Sequence, residues 1–153
     1  MENLVKIIAC RHGDYSNESG SLIPAGIQQV QQLTKSISPL ISSGSKVVLF
    51  TSPRKRAVET ATIISQALEG VAPMVCESLQ YDGYSDREGV FNEVVQRISD
   101  QEVLLLVTHY DLPSGIIHAF SEKHLQKPFP RTTIKKGQGI VLHLKTGQVS
   151  FIP

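Results

Sequence analysis

Three short stretches hold most of the chemistry available to this chain: Arg11-His12-Gly13, Thr51-Ser52-Pro53-Arg54-Lys55-Arg56 and Thr108-His109. Arginine stays charged at any relevant pH, and its planar fork can hold two phosphate oxygens at once. Histidine is the side chain that can be neutral and nucleophilic near neutrality. Two imidazoles and two or more guanidinium groups, brought together, suit a tetrahedral anion. A phosphorylated ligand is the natural inference.

Whether they meet depends on the elements that carry them. Each stretch directly follows a short apolar run: Val5 to Cys10, Val47 to Phe50, and Val103 to Val107. Continuous apolar strands of this kind suit a parallel sheet covered on both faces. In open parallel sheets ligands bind beyond the carboxyl ends of the strands, so the three stretches are expected along one edge. Arg56 would also fall in the first turns of a helix, where free N–H groups and the dipole favour an anion.

Helical patterns fill the intervals. Pro24 suits a first turn, with Ile27, Val30, Leu33 and Ile37 following at helical spacing until Pro39 kinks or ends the helix. A second helix is expected from near Pro53, with Ala57, Ala61, Ile64 and Leu68 on one face. A third carries Phe91, Val94, Val95 and Ile98, and a fourth follows Pro113 with Ile116, Ile117 and Phe120 buried. Pro73 to Leu79 reads as a further short strand, and the end as a hairpin of Gly139 to Lys145 and Gln148 to Ile152 around Thr146-Gly147. This alternation predicts an α/β fold, a three-layer α/β/α sandwich with a mainly parallel central sheet and a C-terminal β-hairpin.

At 153 residues the chain is read as a single domain, 1–153. A net charge of +1 gives no reason to expect nucleic acid or a membrane surface as partner. Cys10 and Cys76 are too few for a disulfide framework and sit in apolar runs, so they are expected to be buried thiols. Met1 to Leu4 shows no basic segment before a long apolar stretch, and no apolar run reaches membrane-spanning length, so a cytoplasmic protein is expected. No histidine and carboxylate spacing resembles a metal site. The pattern itself leaves the oligomeric state open.

Arg11-His12-Gly13 after a first strand resembles the signature of the histidine phosphatase (phosphoglycerate mutase-like) superfamily. Leu22-Ile23-Pro24-Ala25-Gly26-Ile27-Gln28-Gln29 is similar to that family's L-T-x-x-G-x-x-Q segment, with Ile23 in place of the usual Thr. Ser52 to Ala61 resembles its S-P-x-x-R-A-x-E-T-A segment, and Thr108-His109 its second histidine. Short length and Asp14 after the tripeptide make the chain most similar to SixA-type phosphohistidine phosphatases.

The resemblance implies a metal-independent enzyme without a cofactor. His12 would attack phosphorus and form a phosphohistidine that water hydrolyses. Arg11 and Arg56 would grip the non-bridging oxygens and stabilise transition-state charge, with His109 as a further donor. Asn17 either adds a donor to the phosphate pocket or caps a loop. A general acid for the leaving group has no clean match to the family's glutamate motif. Asp82 is the first choice and an ordinary turn residue the alternative, while Asp86 reads as a helix N-cap and Glu88 as a first-turn carboxylate. Arg54, Lys55, Lys135 and Lys136 read as solvated. His118, His124 and His143 read as packing residues or as residues of a hairpin strand.

A weak acid suits a phosphoramidate, whose protonated nitrogen leaves easily, so a phosphohistidine-bearing protein is the expected substrate class. The alternatives are a small phosphorylated metabolite, met by an ester phosphatase or a mutase, and a non-catalytic phosphate-recognition module.

Overall fold

The computed structural model describes residues 2–80, 87–127, 129 and 132–153, with the side chains of 87 and 88 left out. Four parallel strands form the body of one sheet: β1 (Lys6–Arg11), β2 (Val47–Thr51), β3 (Pro73–Val75) and β4 (Val103–Thr108). An antiparallel hairpin, β5 (Gly139–His143) and β6 (Gln148–Ile152), extends it, so the strands run in the order β3-β2-β4-β1-β5-β6. The expected sandwich and hairpin are therefore present.

Every residue of β4 is buried, because it lies between β1 and β2 with helices over both faces. Alternation then sends its side chains into two separate cores. Leu104 and Leu106 join Ile7, Ala9 and Phe50 under α3 (Arg87–Gln96) and α4 (Leu112–Phe120). Val103, Leu105 and Val107 join Ile8, Cys10 and Leu49 under α1 (Pro24–Ile37) and α2 (Lys55–Ala67). Cys10 and Cys76 are buried free thiols, and burial pushes the Cys10 pKa up to about 12.

Some expectations need correction. Ile27 is 38% exposed, because α1 turns only Gly26, Val30, Leu33, Thr34 and Ile37 inward. The end of α1 does fall as expected, at Ile37, with Pro39 in the 3-10 turn Ser38–Leu40 that follows. The second helix begins at Lys55, because Pro53 lies in the bend that leaves β2. The run from Pro73 pairs with β2 only as far as Val75, and Glu77–Leu79 forms a 3-10 turn.

No helix among the described residues is long and apolar enough to cross a membrane. Leu105→Ala, a deletion at a fully buried position on the central strand, is expected to lower unfolding free energy by about 2–5 kcal/mol, read from urea denaturation.

Candidate active site

Register brings the two histidines level. In the parallel β1–β4 pair Arg11 lies opposite Thr108, and in the β2–β4 pair Thr51 lies opposite Val107. The next residues, His12, His109 and Ser52, thus emerge side by side at the carboxyl edge. The ladder continues briefly past the strands, with the His12 N–H donating to the Thr108 carbonyl (3.2 Å) and the Ser52 N–H to the Val107 carbonyl (3.0 Å). The His12 and His109 ring centroids stand 4.9 Å apart, and both side chains are buried.

His12 is oriented by its own loop. Its Nδ1 lies 2.8 Å from the Gly13 carbonyl, an oxygen that can only accept. That assigns the ring proton to Nδ1 and leaves the lone pair on Nε2. Arg56, in the first turn of α2, donates from Nε to this Nε2 at 3.3 Å. Nucleophile and guanidinium therefore face one another.

The loop is clamped by small residues and an amide. A Cβ on Gly26 would meet the Asp14 carbonyl oxygen at 2.0 Å, and one on Gly13 would meet the Gly26 carbonyl oxygen at 2.7 Å. Only hydrogen fits between those backbones. Gln29 Oε1 accepts from the Asp14 N–H (3.0 Å), and its Nε2 donates to Asp14 Oδ2 (2.6 Å). Thr60 Oγ1 accepts from the Gly13 N–H (3.2 Å) while donating to the Arg56 carbonyl (2.8 Å), which joins α2 to the His12 loop. Ile23, at the N-cap of α1, has no side-chain oxygen with which to cap it, and Pro24 follows as the first helical residue.

Arg11 ends β1 half-buried, its Nη1 donating to the Ile134 carbonyl (2.9 Å) and its guanidinium 5.4 Å from the centre of the Tyr110 ring. His109 Nε2 lies 2.6 Å from Ser52 Oγ, which also accepts from the Arg54 N–H at 3.2 Å. When the Ser52 hydroxyl donates to Nε2, the His109 proton sits on Nδ1, a buried atom with no partner among the described residues.

These side chains line one open cleft of about 220 Å³, formed by Arg11, His12, Tyr15, Arg56, His109, Tyr110 and Lys136. A larger hollow of about 590 Å³, lined in part by Val5, Ser42 to Ser45 and Lys145, lies at the opposite, amino-terminal end of β1 and holds none of these groups. The four sequence candidates His12, Arg11, Arg56 and His109 converge on the cleft. Asn17 does not line it and is exposed in the following turn. Asp82 and Asp86 lie outside the described residues, as does the Glu88 side chain. His118 bonds through Nδ1 to the Phe129 carbonyl and His124 packs on Phe91 and Phe120.

Three cleft residues escaped the sequence reading. Tyr15 carries the Arg56 guanidinium over its ring at 4.2 Å and meets His12 edge-on at 5.3 Å. Tyr110, next to His109, adopts φ of 50°, a left-handed conformation uncommon for its type. Lys136, expected to be solvated like Lys135, instead borders the cleft, because Gly137 ties that loop to the Arg11 and His12 carbonyls. Only adjacency to His12 and His109 could have flagged the tyrosines. Nothing in the sequence marked Lys136.

Both histidines are held neutral. Desolvation, then the charges of Arg56 and Arg11, lowers His12 to about 4 against the raising effect of the Gly13 carbonyl. Desolvation followed by the nearby His12, Arg56, Arg54 and Arg11 lowers His109 to about 3. A neutral Nε2 lone pair is what in-line attack on phosphorus requires. Among the described residues no group of three or more His, Cys, Asp or Glu is placed to hold a metal.

A three-layer α/β domain of phosphoglycerate mutase-like fold is thus defined, with an anion-suited cleft at its carboxyl edge. The model of the histidine phosphatase superfamily (branch 1) matches residues 7–101, well over half the chain, and the protein belongs to that superfamily. No curated protein sequence matched. Among solved structures it is similar to one from Nakamurella multipartitia assigned as a phosphohistidine phosphatase SixA (TM-score 0.71, 14% identity, 97% of this chain and 94% of that one). It is also similar to the protein histidine phosphatase SixA complexed with tungstate (TM-score 0.66, 15% identity, 95% and 93%). Phosphoglycerate mutase from Plasmodium falciparum shares the fold (TM-score 0.58, 21% identity, 97% and 88%).

Two outcomes follow from this geometry. Gly26→Ala is expected to displace the Asp14 backbone and lower phosphatase activity at least about tenfold, a ~1 Å misplacement being enough for that. The check is kcat together with the melting midpoint. Both histidine pKa values are depressed on folding, so the unfolded chain binds more protons below about pH 6.5. Stability is therefore full above that pH and falls as pH drops toward 4. The urea midpoint should decline between pH 7 and 5, with a shallower slope in His12→Gln.

Proposed function

We propose that this protein is a phosphatase that passes a phosphoryl group through His12, with phosphohistidine on a protein as the substrate it serves. The carrying observation is the neutral Nε2 of His12, held in one cleft with Arg56, Arg11 and His109. The Nε2 lone pair forms a bond to phosphorus as the bond to the leaving group breaks, and the leaving group keeps that electron pair. Arg11, Arg56 and the Nδ1 side of His109 stabilise the equatorial oxygens as charge spreads over them. Water then attacks phosphorus, the N–P bond breaks, and inorganic phosphate leaves with His12 neutral again. The water proton passes to the phosphate or to solvent.

Two features favour a protein-borne phosphoramidate. The cleft is small and open, which suits a side chain presented from outside better than an enclosed metabolite. The sequence offers no clean match to the family's general-acid glutamate motif. A phosphohistidine nitrogen, once protonated, leaves without such an acid. The SixA structure complexed with tungstate, a tetrahedral oxyanion, supports the reading by fold likeness.

The test sets purified protein against a phosphohistidine peptide, a phosphoserine peptide, sugar phosphates and phosphoglycerate isomers. Phosphate release from the first by wild type, and at least about a hundredfold less by His12→Ala, is the expected result. Turnover of phosphomonoesters with none of phosphohistidine would overturn the substrate, and interconversion of phosphoglycerates would identify a mutase. Equal behaviour of wild type and His12→Ala would leave only a binding module.

A further inference from the structure

We propose that Lys136 is a substrate-binding residue of this cleft, its ammonium exchanging the Asp14 carboxylate for an oxygen of the bound phosphoryl dianion. This rests on the phosphatase reading and adds to it one residue and the charge class of the ligand.

Lys136 lines the cleft beside Arg11, His12, Arg56 and His109. Its Nζ stands 3.3 Å from Asp14 Oδ1 and 5.2 Å from the centre of the Tyr15 ring. The same ring carries the Arg56 guanidinium at 4.2 Å and meets His12 edge-on. One aromatic ring therefore stands within reach of two cations next to the nucleophile. Both cations also line the one cleft, where like charges repel and an anion bound beside them relieves the repulsion.

Charge matching points the same way. Among the described residues the cleft lining offers Arg11, Arg56 and Lys136 and no carboxylate. With both imidazoles neutral and Asp14 set against Lys136, two positive charges remain. A phosphate monoester or phosphohistidine brings up to about two negative ones near neutral pH. Asp14, beside the cleft, is the anion that a phosphoryl oxygen would compete with for the Lys136 ammonium.

The pair can open cheaply. Both side chains are more than one-third exposed, at 37% and 36%, and ion pairs of that kind contribute little. Asp14 keeps its other partner throughout, because Gln29 Nε2 donates to Oδ2. That bond first, and Lys136 second, keeps the Asp14 carboxyl below its usual range. The lysine backbone does not move with the side chain. The Gly137 N–H donates to the carbonyls of Arg11 (3.2 Å) and His12 (3.0 Å), and Ile134 accepts from Arg11. A flexible arm on a fixed base is what partner exchange requires.

The experiment measures the dissociation constant of inorganic phosphate by calorimetric titration for wild type, Lys136→Met, Lys136→Arg and Asp14→Asn. Lys136→Met should weaken binding about three- to tenfold and Lys136→Arg should stay within about twofold of wild type, the range for one partly screened charge contact. Asp14→Asn keeps an oxygen for Gln29 but frees the ammonium, so its affinity should equal or exceed that of wild type. Unchanged binding in Lys136→Met, or equal weakening in Lys136→Met and Asp14→Asn, would make the pair a structural latch and overturn the proposal. Lys136→Gln, with the same expectation as Lys136→Met, replaces it should that variant not fold. The phosphatase reading is judged separately, by whether wild type incubated with phosphohistidine peptide carries acid-labile phosphate on His12. Its failure with a normal Lys136 effect would leave a phosphate-binding site without turnover.

Discussion

The register between β1 and β4 is the constraint on which the rest of the site depends. Arg11 opposite Thr108 sets His12 and His109 one residue beyond a paired position, close enough to share one small anion. In a sheet with one wet face, a slip of one residue is forbidden because it turns the apolar side chains outward. That safeguard is weak here. Both faces are covered, and Ile7 and Ile8 point into different cores yet are equally buried. The register is held from its ends instead. Lys6 and Arg11 need polar surroundings at the two edges, and the four apolar residues between them pair with Leu104 to Val107 inside the buried β4.

Beyond the strand the chain has to turn without drifting, and backbone contact achieves this better than side-chain packing would. Gly13 and Gly26 let the His12 loop touch the first turn of α1. Gln29 then satisfies both the N–H and the carboxylate of Asp14, and Thr60 reaches across from α2 to the Gly13 N–H. Each contact uses a residue from a segment that looked, in the sequence, like a signature without a stated mechanical purpose. Their purpose is to fix the imidazole rotamer and the Gly13 carbonyl that chooses its tautomer.

The apolar runs and their polar ends were enough to place the strands, the three layers and the meeting of His12, Arg56 and His109. Such runs depend on burial, which composition displays directly. Ile27 misled because helical spacing identifies a stripe but not its edges, and this residue lies on the margin of the α1 stripe. Tyr15 and Tyr110 were hidden because their roles come from ring position around a cation, which no spacing encodes. Lys136 was hidden for a topological reason. It enters from the loop before β5, and only the antiparallel placement of β5 beside β1 carries that loop back to His12.

The same topology explains how so much positive charge is tolerated in one cleft. Each cation is already held by something that is not the ligand: Arg11 by the Ile134 carbonyl and Tyr110, Arg56 by Tyr15, and Lys136 by Asp14. These partners fix position without neutralising Arg11 or Arg56, so the field they produce remains available. The two imidazoles cannot add to it, since burial and the neighbouring guanidinium charges keep them unprotonated. Under the proposed function, a phosphoryl dianion in the cleft would offset this charge and offer an acceptor to His109 Nδ1.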